Sequence, residues 1–248
     1  MNAIKEFFDI YGRNARLYPA VLLVVPLFAL PGVLTGIEKL SSGIVTGIVG
    51  VALLYGFTHW VRALGKRAEL RLVEKWGGLP TTRHLLWHDK TLDSTTKRRY
   101  HNYLRANGLE VLSAEEESVN AARAREKLAS AVTWLRINRR GDAYQILHSE
   151  NAAYGFRRNL YGAKPVGIAI ALAAAVISGW PVVSATAPLT SATFLEILKS
   201  IGLEERIGLS VSLASLLAWS VVVTPNWVHD AAEQYAKALL ETCDSVAA

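Results

Sequence analysis

Residues 165–183 read PVGIAIALAAAVISGWPVV, without one charged side chain. At 1.5 Å of rise per residue such a run is long enough to cross a hydrocarbon core as a helix, for which about 20 apolar residues suffice. Working outward, three further apolar stretches match it, at residues 18–34, 43–61 and 207–225. The fold class expected is therefore an all-α membrane protein with four transmembrane helices. Average composition alone does not decide this. The chain has 248 residues, 51% hydrophobic, with a net charge of +6, and a soluble domain can be as apolar.

The distribution of charge is more informative than its sum. Residues 62–164 hold 20 of the 27 Lys and Arg residues. Three precede the first apolar stretch, one lies in 35–42, two in 184–206 and one after the fourth stretch. The positive-inside rule then places both termini and the 62–164 segment on the cytoplasmic side of a bacterial inner membrane. The expected organisation is an N-terminal amphipathic segment and first hairpin (1–61), a basic helical cytoplasmic domain inserted between spans 2 and 3 (62–164), a second hairpin (165–225) and a cytoplasmic C-terminal helix (226–248). The first stretch contains Pro26 and Pro31 and lacks a small-residue cleavage site, so it reads as a retained span, with an interfacial or re-entrant segment as the alternative. The lone Cys243 excludes a disulfide framework or a cysteine metal cluster within the chain.

Within 62–164 the apolar residues recur at helical spacing. Leu64, Ala68, Leu72 and Trp76 continue the second span into the cytoplasm until Gly77, Gly78 and Pro80 stop it. Asp93 or Ser94 caps a helix to Ala106, with Gly108 past its end. Ser113 and Glu116 have capping-box spacing and open the longest helix, to Asn138, with Val119, Ala122, Leu128, Val132 and Leu135 along one side. Gly141–Asp142 breaks it, and a last helical stretch leads to Pro165, where span three begins. The Gly43–Gly47 spacing lets helix backbones approach closely.

Three groups of residues can carry chemistry. The densest is Tyr154-Gly-Phe-Arg-Arg-Asn-Leu-Tyr-Gly-Ala-Lys-Pro165. Here Arg157, Arg158 and Lys164 can hold phosphates while Tyr154 or Phe156 stacks on a base. The competing reading is anchoring to an anionic leaflet. The second group, Lys97, Arg98 and Arg99 beside Tyr100, His101, Tyr103 and Arg105, offers a positive face to a polyanion, or simply a solvated face. The third is His84, His88 and Asp89, whose i,i+4 spacing would face one metal if helical, although no zincin pattern accompanies it. No Walker A, GxSxG or GxGxxG motif is present, so neither an enzyme nor a cofactor is expected. No charge lies inside the spans, which argues against an ion-coupled transporter.

Two stretches together resemble a known group: Trp76-Gly-Gly-Leu-Pro-Thr-Thr-Arg-His-Leu85 and the run from Glu150 to Pro165. They are similar to signatures of bacterial multi-pass membrane effectors of anti-phage defence, of the Hailong type, in which a transmembrane protein is paired with a nucleotidyltransferase. The resemblance covers the cytoplasmic segment and the entry to span three. It implies a homo-oligomeric channel controlled by a nucleotide or short single-stranded oligonucleotide made by that partner. The ligand would sit on Arg98, Arg99, Tyr154, Phe156, Arg157, Arg158 and Lys164. Two other classes stay open: a membrane-anchored scaffold for a cytoplasmic protein, and a metal-dependent membrane hydrolase using His84, His88 and Asp89.

Overall fold

The computed structural model describes residues 12–33, 36, 44–180, 184, 196 and 202–244. All regular structure among the described residues is helical. A π-helical turn, Arg13–Leu17, leads into α1 (Tyr18–Phe28). There follow α2 (Ile44–Lys75), the single turn α3 (Pro80–Arg83), α4 (Ser94–Ala106), α5 (Ala114–Val119) and α6 (Ala121–Asn138). Next come α7 (Gln145–Ser178) and α8 (Leu203–Leu217), a second π-helical segment (Ala218–Val222), and α9 (Pro225–Glu241). The chain divides into an apolar unit (residues 1–68 and 155–227) and a polar unit (69–154 and 228–248), with α2, α7 and α9 contributing residues to both.

The apolar unit holds the two helical stretches that are long and apolar enough to cross a membrane, Asp142–Ser178 with mean hydropathy 1.8 (its first residues belong to the polar unit) and Leu203–Val222 with 1.3. Their outer faces stay apolar. Leu172, Val176 and Ile177 on α7, and Leu213, Leu217 and Val221 on the other, each leave 50–65% of their surface exposed. The inner faces meet through small residues. Gly167 lies under the Trp219 indole, Gly208 packs on Ser178 and on the Ala29 carbonyl, and Gly65 lies against Asn159. Ala20, Leu23, Val61, Leu160 and Ala171 complete this core. Ser212 donates to the Gly208 carbonyl at 2.7 Å and Thr58 to Tyr55 at 2.8 Å. These two buried hydroxyls are thereby satisfied within their own helices.

The expectations for this unit need two adjustments. In the first apolar stretch α1 ends at Phe28, and the chain turns at Leu30–Gly32 with Gly32 at φ +74°. Pro165 does not begin a helix but sits inside α7. Its ring fixes a helical φ and forfeits one donor, and the buried Ala163 and Gly167 on either side hold the helix through it. A close helix contact falls at Gly65 and Gly162; the Gly43–Gly47 spacing lies outside what the described residues show.

The polar unit has its own core of Leu85, Leu86, Leu104, Leu128, Leu135 and Leu239. Its boundaries follow local chemistry. Gly77 and Gly78 take φ +72° and +128°, a backbone open to glycine, and end α2. Asp93 accepts from the Thr95 and Thr96 amides at 3.0 and 2.9 Å. Ser113 and Glu116 form the expected reciprocal capping box at α5. The helix it opens is not continuous, however. Asn120 leaves helical geometry (φ −143°, ψ +80°) and its side chain caps α6 through the Arg123 amide at 3.0 Å. An asparagine bonds its own local backbone better than it extends a helix. The break turns Val119 outward, 87% exposed, where helical periodicity had put it inside.

Candidate functional site

The motif after α2 builds a hub on Glu233 of α9, all within the polar unit. The Arg83 guanidinium donates to Glu233 Oε1 at 2.7 Å and to the Trp76 carbonyl at 3.2 Å. His84 Nε2 lies 2.8 Å from Glu233 Oε2, and His229 Nε2 3.2 Å from Oε1. Arg83 Nε also lies 3.2 Å from Asp89 Oδ2. His84 is 3% exposed. Burial pushes its pKa down, against the pull of Glu233 and Asp89. Above the hub, Trp76 meets His229 edge-to-face at 4.9 Å. Beside it opens a cavity of about 450 Å³, walled by Val73, Gly77, Leu79, Leu86, Arg125 and Ala129 among others.

His84 and His88 do not face a common ion. α3 ends at Arg83, so the two lie in turns rather than on one helix face. His88 Nδ1 instead pairs with Glu117 Oε1 at 2.7 Å. The same carboxylate accepts the Trp87 and His88 amides at 2.9 and 3.1 Å. Burial opposes the Glu117 charge, yet these bonds hold its carboxyl below the usual range. Among the described residues no group of three His, Cys, Asp or Glu side chains is arranged to hold a metal.

The second basic group divides by burial. Arg98 is exposed and makes no hydrogen bond or ion pair among the described residues. Arg99 forms a two-pronged pair with Asp244, at 2.5 and 2.7 Å. Lys97, 2% exposed, points inward and donates to the Leu86 carbonyl at 2.6 Å and to that of Asp89. Burial lowers its pKa. His101 is buried too, edge-to-face with Trp87 at 4.5 Å and bonded to the Leu85 carbonyl. Burial brings its pKa down to about 4. Arg139 bonds the Tyr103 hydroxyl and lies over the Tyr103 and Tyr144 rings at 5.6 and 5.2 Å.

The residues of the 154–165 motif are each given a structural partner. In the polar unit Tyr154 is buried, its ring parallel to Tyr235 at 6.1 Å and its hydroxyl donating to Glu69 at 2.7 Å. A base stacking on Tyr154 would have to displace Tyr235. In the apolar unit Phe156 and Arg157 converge on Trp227. Phe156 meets the indole edge-to-face at 6.1 Å; Arg157 stacks over it at 5.1 Å and donates to its carbonyl at 3.0 Å. Arg158 is 5% exposed beside Asn159, whose amide donates to the Ala15 carbonyl at 2.6 Å. Lys164 donates to the Val223 carbonyl at 2.8 Å and reaches that of Ser220 at 3.4 Å. It thereby caps carbonyls left open by the π-helical segment, where a cation is also favoured by the helix dipole.

Sequence reasoning passed over Glu233, Glu117 and Trp227, which organise these sites from other elements. Only Trp227 carries a signal, as a tryptophan just past the fourth apolar stretch, where interfacial aromatics gather. No protein-family model matches the chain, and no curated protein and no solved structure matches it.

Proposed function

We propose that this chain is a multi-pass inner-membrane effector whose polar helical unit receives a signal in the cytoplasm. The observation that carries the membrane reading is the outward-facing apolar surface of α7 and α8. A core helix of a soluble protein buries such side chains, and a helix in lipid presents them outward. In this reading the chain spans four times, with both termini inside, and its copies associate into a homo-oligomer that forms an ion channel or pore. Its control would come from a nucleotide or short oligonucleotide supplied by a partner nucleotidyltransferase, in anti-phage defence. The resemblance of the two motifs to Hailong-type effectors supports that part. Arg98 is the member of the proposed set with an exposed, unengaged guanidinium among the described residues. The ligand would engage it first, and use Arg99 and Tyr154 of the same unit only by exchanging the partners they now hold; Phe156, Arg157, Arg158 and Lys164 belong to the apolar unit.

The test is native mass spectrometry of the detergent-purified protein. A discrete oligomer with added mass that fragments to nucleotides, lost in Arg98→Glu, is the expected result. A bare monomer that binds no nucleotide overturns the channel reading. Topology is checked with single cysteines in a Cys243→Ser background. Arg206→Cys should label on intact spheroplasts, and Lys90→Cys only after lysis; the reverse pattern overturns the orientation.

One observation favours a scaffold as the second reading. Val119 and Ile146 expose 87% and 75% of their surface on the polar unit. Recovery of one stoichiometric protein partner, lost in Val119→Lys, would support it.

A further inference from the structure

We infer that the apolar unit carries a built site for one anionic phospholipid. A groove of about 270 Å³ is walled by Leu22 and Val25 of α1, Leu160 of α7, and Ala218 and Val222 of the π-helical segment. Its polar end is Phe156 and Trp227, with the Arg157 guanidinium stacked over the indole. Arg157 has five donors, of which one is seen engaged, on the Trp227 carbonyl. Lys164 donates to the carbonyl of Val223, which lines the groove, and reaches that of Ser220. Neither cation meets a carboxylate among the described residues. The groove is therefore bordered by two positive charges, Arg157 over the Trp227 ring and Lys164 on the Val223 carbonyl, with no carboxylate counter-ion among the described residues.

An acyl chain matches the groove, and a phosphodiester matches the cationic rim. A free nucleotide or inorganic phosphate matches only the rim, and a zwitterionic lipid sets its own ammonium against Arg157. Basic pockets at the cytoplasmic end of membrane helices select anionic headgroups on this ground. The aromatic pair suits the interfacial depth at which the headgroup begins. Lipid binding here would pin α1, α7 and the π-helical segment together, so occupancy would act on their packing. The inference rests on the membrane reading above.

The full-length protein is exchanged into micelles containing equimolar phosphatidylglycerol and phosphatidylcholine, and retained lipid is counted by native mass spectrometry. The expected result is one tightly held phosphatidylglycerol, preferred by roughly thirtyfold if both cations act, at about fivefold for each. Arg157→Gln and Lys164→Gln should each reduce the preference about fivefold, while Arg157→Lys keeps most of it. Ala218→Phe should lower retention of both lipids by filling the groove without touching either cation. Equal retention of the two lipids by the wild type, or an unchanged preference in both Gln variants, overturns the site. If the protein instead partitions into the soluble fraction of its host, the membrane reading itself has failed.

Discussion

Gly162 of α7 lies so close to α2 that a methyl group there would sit 2.5 Å from the amide nitrogen of Gly65. The partner position is equally filled, since a methyl group on Gly65 would meet the Cα of Asn159 at 2.7 Å. Both obstacles are main chain, which cannot rotate away. The two helices touch because each offers a glycine at the crossing, the means by which helices without a hydrophobic drive between them gain van der Waals contact.

Gly162→Val should therefore destabilise the protein by about 3 kcal/mol, at the upper end of ordinary overpacking. Gly56→Ala should be neutral or slightly stabilising, because nothing lies within 4 Å of that position and alanine favours a helix. Thermal unfolding in detergent compares the two. Equal midpoints would show that the crossing is not tight.

Lys97 is the buried strut of the polar unit. Its ammonium satisfies the carbonyls of Leu86 and Asp89 in the turns that follow α3. Lys97→Met keeps the stem and leaves two buried acceptors bare, at a cost of about 2–3 kcal/mol. Far-ultraviolet circular dichroism during heating measures it. A surface charge would give a change near zero.

Acid should unfold the polar unit early. The His101 pKa, about 6.5 in the unfolded chain, is brought to about 4 by burial. Between those values the unfolded state binds the proton and the folded state does not. Stability is then complete above about pH 6.5 and falls as the pH drops toward 4, by roughly 2–4 kcal/mol. Glu117, held below the usual carboxyl range, adds a further loss once the pH passes below that range. His101→Gln should reduce the slope between pH 6.5 and 4, with buried His84 keeping part of it, and leave the limb below. An unchanged slope would assign it elsewhere.

Cys243 is buried in the core of the polar unit, and burial raises its thiol to about 12. An aromatic disulfide reagent should react at least about 100-fold more slowly with the native protein than with the protein in denaturant. Rapid native labelling would mean that the end of α9 detaches. This burial is also why topology has to be probed with introduced cysteines.

Much of the helical plan was legible in the chain because it rests on neighbours in sequence. The Gly77–Gly78 stop, the Asp93 cap and the Ser113–Glu116 box each depend on residues within three or four positions, and each stands where periodicity and capping place it. The same local reading misjudged Asn120, which caps a second helix, and Pro165, whose helix persists. Propensity argues a break at a proline, and packing on both sides overrides it.

The candidate sites were less legible because their organising residues are remote. Nothing near Arg83 and His84 in sequence announces Glu233, which lies 150 positions from Arg83, and nothing near Arg157 announces Trp227, 70 positions on. An arginine on paper is a free cation, but in the fold Arg99 answers Asp244 and Lys97 answers two carbonyls. By itself, the sequence determined that the protein is helical, that apolar runs alternate with a basic segment, and where most helices begin and end, since these follow from composition and short-range bonding. Only the tertiary structure decided which charges remain available and which glycines meet, because a charge is spent, and a glycine needed, by what arrives from elsewhere in the chain.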